Sequence, residues 1–234
     1  MAGRASSERS ASGPATAPLT EDAIALKAAQ RHLDLLGGFA TTGADGLPKG
    51  VGTVLLFGAK EPGFWDHLRQ SPEWLDARPD PIDRWSRRNV AALATALHPG
   101  AEARFPFGGP PHDPFPAWAL RSGRCHPSPV GLLVHDRAGL MVSFRGAIWL
   151  PGPVALSAPL APPCLDCPAP CLTACPVGSL GGEGYDIPAC RAYLNSPEGA
   201  GCMAQGCAVR RACPVGRDIA PPAGRAAHHM HHFL

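Results

Sequence analysis

Eight of the nine cysteines lie between residues 164 and 213, and three of the eight, Cys167, Cys175 and Cys213, are followed by proline, the last two at the end of a run. The first run reads Cys164-Leu-Asp-Cys167-Pro-Ala-Pro-Cys171-Leu-Thr-Ala-Cys175-Pro176. The second comprises Cys190, Cys202-Met-Ala-Gln-Gly-Cys207 and Cys213-Pro214. A cubane iron–sulfur cluster needs one thiolate on each of its irons, so two sets of four cysteines suit a pair of [4Fe-4S] clusters. In the bacterial pattern C-x2-C-x2-C-x3-C-P the fourth cysteine ligates the other cluster. By that crossing rule, Cys164, Cys167, Cys171 and Cys213 hold one cluster, and Cys190, Cys202, Cys207 and Cys175 hold the other. The first run has one extra residue between its second and third cysteines, and the second run is spaced more widely still. One complete cluster beside an altered second site is therefore an alternative. The proline after each crossing cysteine has no N–H and disfavours helix at the residue before it, which turns the chain away from the cluster.

Other thiol chemistry fits less well. Cys164 and Cys167 with Cys171 and Cys175 have the pairing of a structural zinc site, but that leaves four clustered cysteines without a role. Disulfides need an oxidising compartment, and nine cysteines in 234 residues fall short of a disulfide scaffold. Cys125 stands apart and reads as an ordinary semi-buried thiol.

Composition narrows the class. With 45% hydrophobic and 17% charged residues the chain can fill one core and a small second module. A formal charge of +2 gives no basic footprint for nucleic acid. Two loaded clusters of about −2 each would bring the protein to about −2. No apolar run approaches the length of a membrane span. A soluble, cytoplasmic protein is expected, with a redox protein as partner. Proline (28) and glycine (27) are abundant but lie among apolar stretches, which points to loop-rich folded structure.

The elements that must carry the cysteines are expected as follows. Residues 1–18 form a disordered leader, polar and lacking the apolar core of a signal peptide. Residues 19–150 form an α/β domain. Thr20, Glu21 and Asp22 start a helix whose stripe includes Ile24, Ala28, Arg31 and Leu35, and Gly37-Gly38 stops it. Phe39–Thr42 and Val51–Phe57 are strands about an Asp45-Gly46 turn, the second apolar on both faces as in a buried central strand. Helices follow near Phe64–Gln70 and from Asp80-Pro81, with Ile82, Trp85, Val90, Leu93 and Leu97 inward. A loop runs from Phe105 to Trp118. Val130–Val134 and Leu140–Phe144 form a hairpin, with Ala147–Leu150 behind. Residues 151–163 form a proline-rich linker, 164–220 the cysteine module and 221–234 a histidine-rich tail.

The segment Cys164–Arg217 resembles the C-terminal ferredoxin-like module of epoxyqueuosine reductases, down to the lone cysteine of Cys190-Arg-Ala-Tyr193-Leu194. His126–His135 and Gly139–Ala147 resemble a stretch shared by reductive dehalogenases, epoxyqueuosine reductases and cobalamin-processing chaperones. The strongest likeness is to small bacterial ferredoxin-like proteins. It rests on Phe105-Pro106-Phe107, Pro110-Pro111, Phe115, Trp118, Cys213-Pro-Val-Gly216 and His229-Met230, and spans roughly residues 30–234. This resemblance implies a nitroreductase-like N-terminal α/β (α+β) domain followed by a small 2[4Fe-4S] module. It also implies electron transport or, alternatively, an oxidoreductase whose clusters feed a cobalamin or flavin. The acidic residue and Val-Asp-Pro context that epoxyqueuosine reductases place beside cobalt are missing, so no cobalamin-facing residue carries over.

Four further features have a functional and a plainer reading. His228-His229-Met230-His231-His232 could bind a metal, or simply pack or be solvated. Arg145-Gly146 could meet a phosphate or carboxylate, or form a surface turn. The Phe105–Trp118 loop could line a pocket for a planar cofactor, or anchor itself in the core. Asp80, Asp83, Arg84, Arg87 and Arg88 read as a solvated helix face with pairs along the helix. The Gly181-Gly182-Glu183-Gly184 stretch lacks the context of a phosphate loop and reads as a connector.

Overall fold

A computed structural model describes residues 19–181 and 184–234; the leader at 1–18 and the connector residues Gly182 and Glu183 lie outside it. The elements fall in the order α1 (Glu21–Ala29), β1 (Leu33–Ala40), β2 (Thr53–Ala59), α2 (Phe64–Arg69), α3 (Pro72–Leu75), α4 (Pro81–Leu97), β3 (Glu102–Arg104) and α5 (Phe115–Arg121). Then come β4 (Cys125–Pro127), β5 (Leu133–His135), β6 (Phe144–Leu150), β7 (Leu180–Gly181), β8 (Gly184–Tyr185), α6 (Ile187–Leu194), α7 (Ala200–Gln205), α8 (Ala208–Ala212) and α9 (Ala223–Phe233). This is a mixed α/β fold. No helix among the described residues is long and apolar enough to cross a membrane.

The main sheet is antiparallel throughout, in the order β1-β2-β6-β3. Its two central strands send alternate residues to opposite sides, as a pleated strand must. Leu55, Phe57, Ile148 and Leu150 join one core beneath α1, α2 and α4, where Trp85 is fully buried. Val54, Leu56, Ala147 and Trp149 join a second core with Phe115 and Trp118 of α5. That two-sided burial explains the unbroken apolar run at Val54–Phe57.

The first helix starts where expected, with Thr20 Oγ1 accepting from Ala23 N at 3.2 Å. It does not continue to Gly37-Gly38. His32, at φ +53°, turns the chain, and Leu33–Ala40 becomes an edge strand beside β2. The two glycines serve that pairing. Gly37 follows a bulge at φ +122°, and a Cβ on Gly38 would lie 2.5 Å from the Val54 carbonyl oxygen. Asp80 precedes α4 but its side chain makes no cap hydrogen bond, because the residue is left-handed at φ +55°.

The expected hairpin of Val130–Val134 with Leu140–Phe144 is not formed. Cys125–Pro127 pairs with Leu133–His135 instead, and Phe144–Leu150 enters the main sheet. The cause is the two-sided apolar pattern of β6, which only an interior strand can bury. Val130, Val134 and Leu140 are left for a third core, shared with Cys171, Leu180, Val209 and Cys213. The long aromatic loop is also shorter than expected, since Phe115 already begins α5. Helix α9 folds back, its Arg225 bonded to the buried Glu61 at 2.7 Å.

Candidate metal centre

The cysteines sit on short elements that the local sequence dictates. Asp186 caps α6, accepting from Ala189 N at 2.9 Å, and so orients Cys190 on the first turns. Cys202 lies within α7, Cys207 and Cys213 bracket α8, and Cys171 lies in a 3-10 turn after the left-handed Ala169.

These elements bring the eight sulfurs into two places. Cys164, Cys167, Cys171 and Cys213 line one narrow slot, with Ser128, Leu140 and Val215. Cys175, Cys190, Cys202 and Cys207 line a larger cavity of about 250 Å³. Each group draws members from both runs, because Cys175 and Cys213, the last cysteine of each run, stand with the opposite run. Among the described residues, no three His, Cys, Asp or Glu side chains stand close enough to hold one common metal ion. The sulfurs line cavity walls rather than forming a tight tetrahedron. A single zinc needs all its donors within about 2.3 Å of one point, whereas a four-iron group takes each thiolate on its own iron.

Burial pushes the Cys164 thiol up, and the neighbouring Cys167, Cys171 and Cys213 add to it. Burial raises Cys190 as well, with Cys207, Cys175 and Cys202 contributing against the Tyr185 hydroxyl, which donates to Cys190 Sγ at 3.4 Å. Cys175 runs the other way. Burial raises it, but the backbone N–H groups of Val177, Leu180 and Ser179, with the Ser179 side chain, together outweigh that and hold it below the ordinary thiol value. The Ser179 N–H lies 3.2 Å from Cys175 Sγ. Several donors on one sulfur favour a thiolate.

The donor set fits a four-iron group on a second count. Ser128 lines the slot and Ser179 the cavity; both are more than nine-tenths buried, the Ser128 hydroxyl has no hydrogen-bond partner, and the Ser179 hydroxyl has none beyond the Cys175 sulfur. A buried unsatisfied hydroxyl costs about 1–3 kcal/mol. Cluster sulfide would accept both.

The larger cavity reaches beyond its cysteines to Arg145, Arg210, Arg225 and His229, and no carboxylate is among its described lining residues. Arg145 is a half-buried side chain at a strand end rather than a surface turn, bonded to Asp83 at 3.2 Å and to the Phe144 carbonyl. Arg145 and Ser143 also border a neighbouring pocket of about 480 Å³ with Phe107, Phe115, Phe144 and His112. The histidines of α9 do not gather at one point, although the His228 and His232 rings lie 4.3 Å apart. His228 packs against Trp65 and Trp74, His229 faces the cavity and Met230 is buried between. The charged face of α4 pairs across to α3 rather than along itself, through Arg84–Asp76 and Arg88–Glu73. Cys125 is buried in the second core, its thiol pushed up to about 12 chiefly by burial.

Ser128, Gly139, Tyr185 and Arg210 were not singled out by sequence. Ser128 and Gly139 lie in the stretches His126–His135 and Gly139–Ala147 that carried a resemblance, and Tyr185 stands five residues before Cys190. No family model and no curated protein matches this chain.

Proposed function

We propose that the chain is an iron–sulfur electron-transfer protein with two [4Fe-4S] clusters. Cys164, Cys167, Cys171 and Cys213 hold one; Cys175, Cys190, Cys202 and Cys207 hold the other. The observation that carries this reading is the division of eight cysteines into two cavity linings of four, each crossing both sequence runs. A bound cubane accepts and returns single electrons at a potential set by burial, charge and hydrogen bonds to sulfur. The chain's part is to hold the thiolates, shield them in apolar surroundings such as Leu140, Val209 and Leu180, and donate hydrogen bonds. The partner in this reading is a redox protein. Its nitroreductase-like character would lie in the antiparallel sheet with helices on both sides.

The test is iron, sulfide and zinc analysis after anaerobic purification. About eight iron and eight sulfide per chain support the reading. About four would remove one site, and zinc without sulfide would overturn electron transfer in favour of a structural module.

The pocket beside Arg145 favours a second reading. At about 480 Å³ it lies within the range of ligand sites, about 300–1,000 Å³, and its aromatic wall suits a planar ring. In this reading the protein is a flavin- or cobalamin-dependent reductase fed by the clusters. Saturable binding of flavin mononucleotide or cobalamin in equilibrium dialysis would establish it, and binding of neither would remove it.

A further inference from the structure

Taken as cluster sites, the two cysteine groups differ sharply in surroundings. Around the slot of Cys164, Cys167, Cys171 and Cys213 the remaining described lining is Ser128, Pro129, Leu140, Pro163, Ala169, Pro170, Pro214 and Val215, with no charged side chain. Around Cys175, Cys190, Cys202 and Cys207 stand Arg145, Arg210, Arg225 and His229. Burial and the arginines keep His229 neutral, and two of the three arginines are already balanced, Arg145 by Asp83 and Arg225 by Glu61. Arg210 is not. Its Nη1 donates to the Leu140 carbonyl at 2.7 Å, and no carboxylate pairs with it among the described residues.

Hydrogen bonding differs in the same sense. One buried serine hydroxyl faces each site, so those contributions offset one another. The slot has the Cys171 and Leu172 N–H groups on Cys171 Sγ. The second site has more donors, the Tyr185 hydroxyl on Cys190 Sγ at 3.4 Å and the Val177, Leu180 and Ser179 N–H groups on Cys175 Sγ, the last at 3.2 Å. Both kinds of interaction favour extra electron density on a cluster. A donor to a ligand sulfur grows stronger as negative charge accumulates there, and a cation lowers the energy of the more negative state.

We propose that the Cys175/Cys190/Cys202/Cys207 site holds its cluster at the higher reduction potential, and that Tyr185 and Arg210 set much of the gap. This rests on the two-cluster reading above. Tyr185 is a positioning and tuning residue, acting through Cys190. Its ring stacks on Phe233 with centroids 6.0 Å apart and planes 7° from parallel, so removing the hydroxyl leaves its packing in place.

The experiment is a potentiometric titration of the anaerobically prepared holoprotein followed by electron paramagnetic resonance, with iron and sulfide measured on each sample. The wild type should show two separated reduction steps. Cys190→Ala should abolish the step at higher potential and spare the other. Tyr185→Phe, at unchanged iron content, should move only the higher step to more negative potential, and Arg210→Gln should move it the same way. Should Tyr185→Phe shed iron, the wild-type steps and Arg210→Gln still decide the matter. A single step for both clusters at full iron content would overturn the inference while leaving two clusters in place. So would loss of the lower step in Cys190→Ala, or an unmoved higher step in both tuning variants. Absence of iron and sulfide from the wild type would overturn both the inference and the reading beneath it.

Discussion

Gly139 and Cys213 approach so closely that a Cβ on the glycine would lie 3.0 Å from the cysteine sulfur and 2.2 Å from the Val215 carbonyl oxygen. The contact is reciprocal. A Cβ on Gly216 would meet the Ala138 carbonyl carbon at 2.7 Å. Two glycines, at φ +55° and +75°, thus lock the loop after β5 onto the Cys213-Pro214-Val215-Gly216 turn. The N-terminal part of the chain thereby helps to place a cysteine of the other part.

Gly139→Ala should therefore act on one site. It adds left-handed strain of about 1–2 kcal/mol and pushes backbone against Val215. The expected result is a protein that loses iron from the Cys164/Cys167/Cys171/Cys213 site and keeps the other. Iron analysis with electron paramagnetic resonance checks it, and full occupancy of both sites would contradict the contact.

The same loop depends on His135, which is fully buried. Its Nδ1 accepts from the N–H groups of Arg137 (3.0 Å) and Ala138 (3.1 Å), so Nε2 carries the proton and donates to the Leu36 carbonyl at 2.8 Å. The ring is thus held neutral, and burial is the main cause of its lowered pKa. As pH falls, the unfolded chain takes up this proton first, near the ordinary imidazole value of about 6.5. Stability is present above that value and lost below it, down through the lowered folded value. Denaturant unfolding of the apoprotein between about pH 7 and about pH 5 should show a shallower loss for His135→Gln than for wild type. It should not vanish, because burial also lowers His67, His228 and His229. Equal slopes would remove His135 as a contributor.

Glu61 and Arg225 hold α9 against the N-terminal part, with side chains 4% and 15% exposed. Breaking a buried pair from one side strands the other charge, at a cost of about 3–5 kcal/mol. Glu61→Ala should be destabilised on that scale, and adding Arg225→Met should recover part of the loss. A double-mutant cycle by urea unfolding measures the coupling, and strict additivity would mean that the pair contributes little.

What sequence revealed depended on how local the cause was. Thr20 and Pro81 mark helix starts through their own backbone chemistry, and the two-sided apolar run ending in Phe57 marks a central strand. Leu33–Ala40 misled because its leucines continue a helical stripe, and only pairing with β2 makes them a strand. The β4–β5 pairing and the destination of β6 were hidden for the same reason. The two runs of cysteines are local features of the sequence, and the crossing expected of Cys175 and Cys213 matches the two cavity linings. Ser128 and Gly139 reach those cysteines only through folding of segments far apart in sequence.

The most direct test of the account is a pair of crossing variants, Cys175→Ser and Cys213→Ser, each purified anaerobically and read by iron content and electron paramagnetic resonance. The account predicts that Cys175→Ser damages the site of Cys190, Cys202 and Cys207 and spares that of Cys164, Cys167 and Cys171, with Cys213→Ser doing the reverse. Equal loss of both clusters in each variant, or loss of the cluster in the variant's own run, would contradict it.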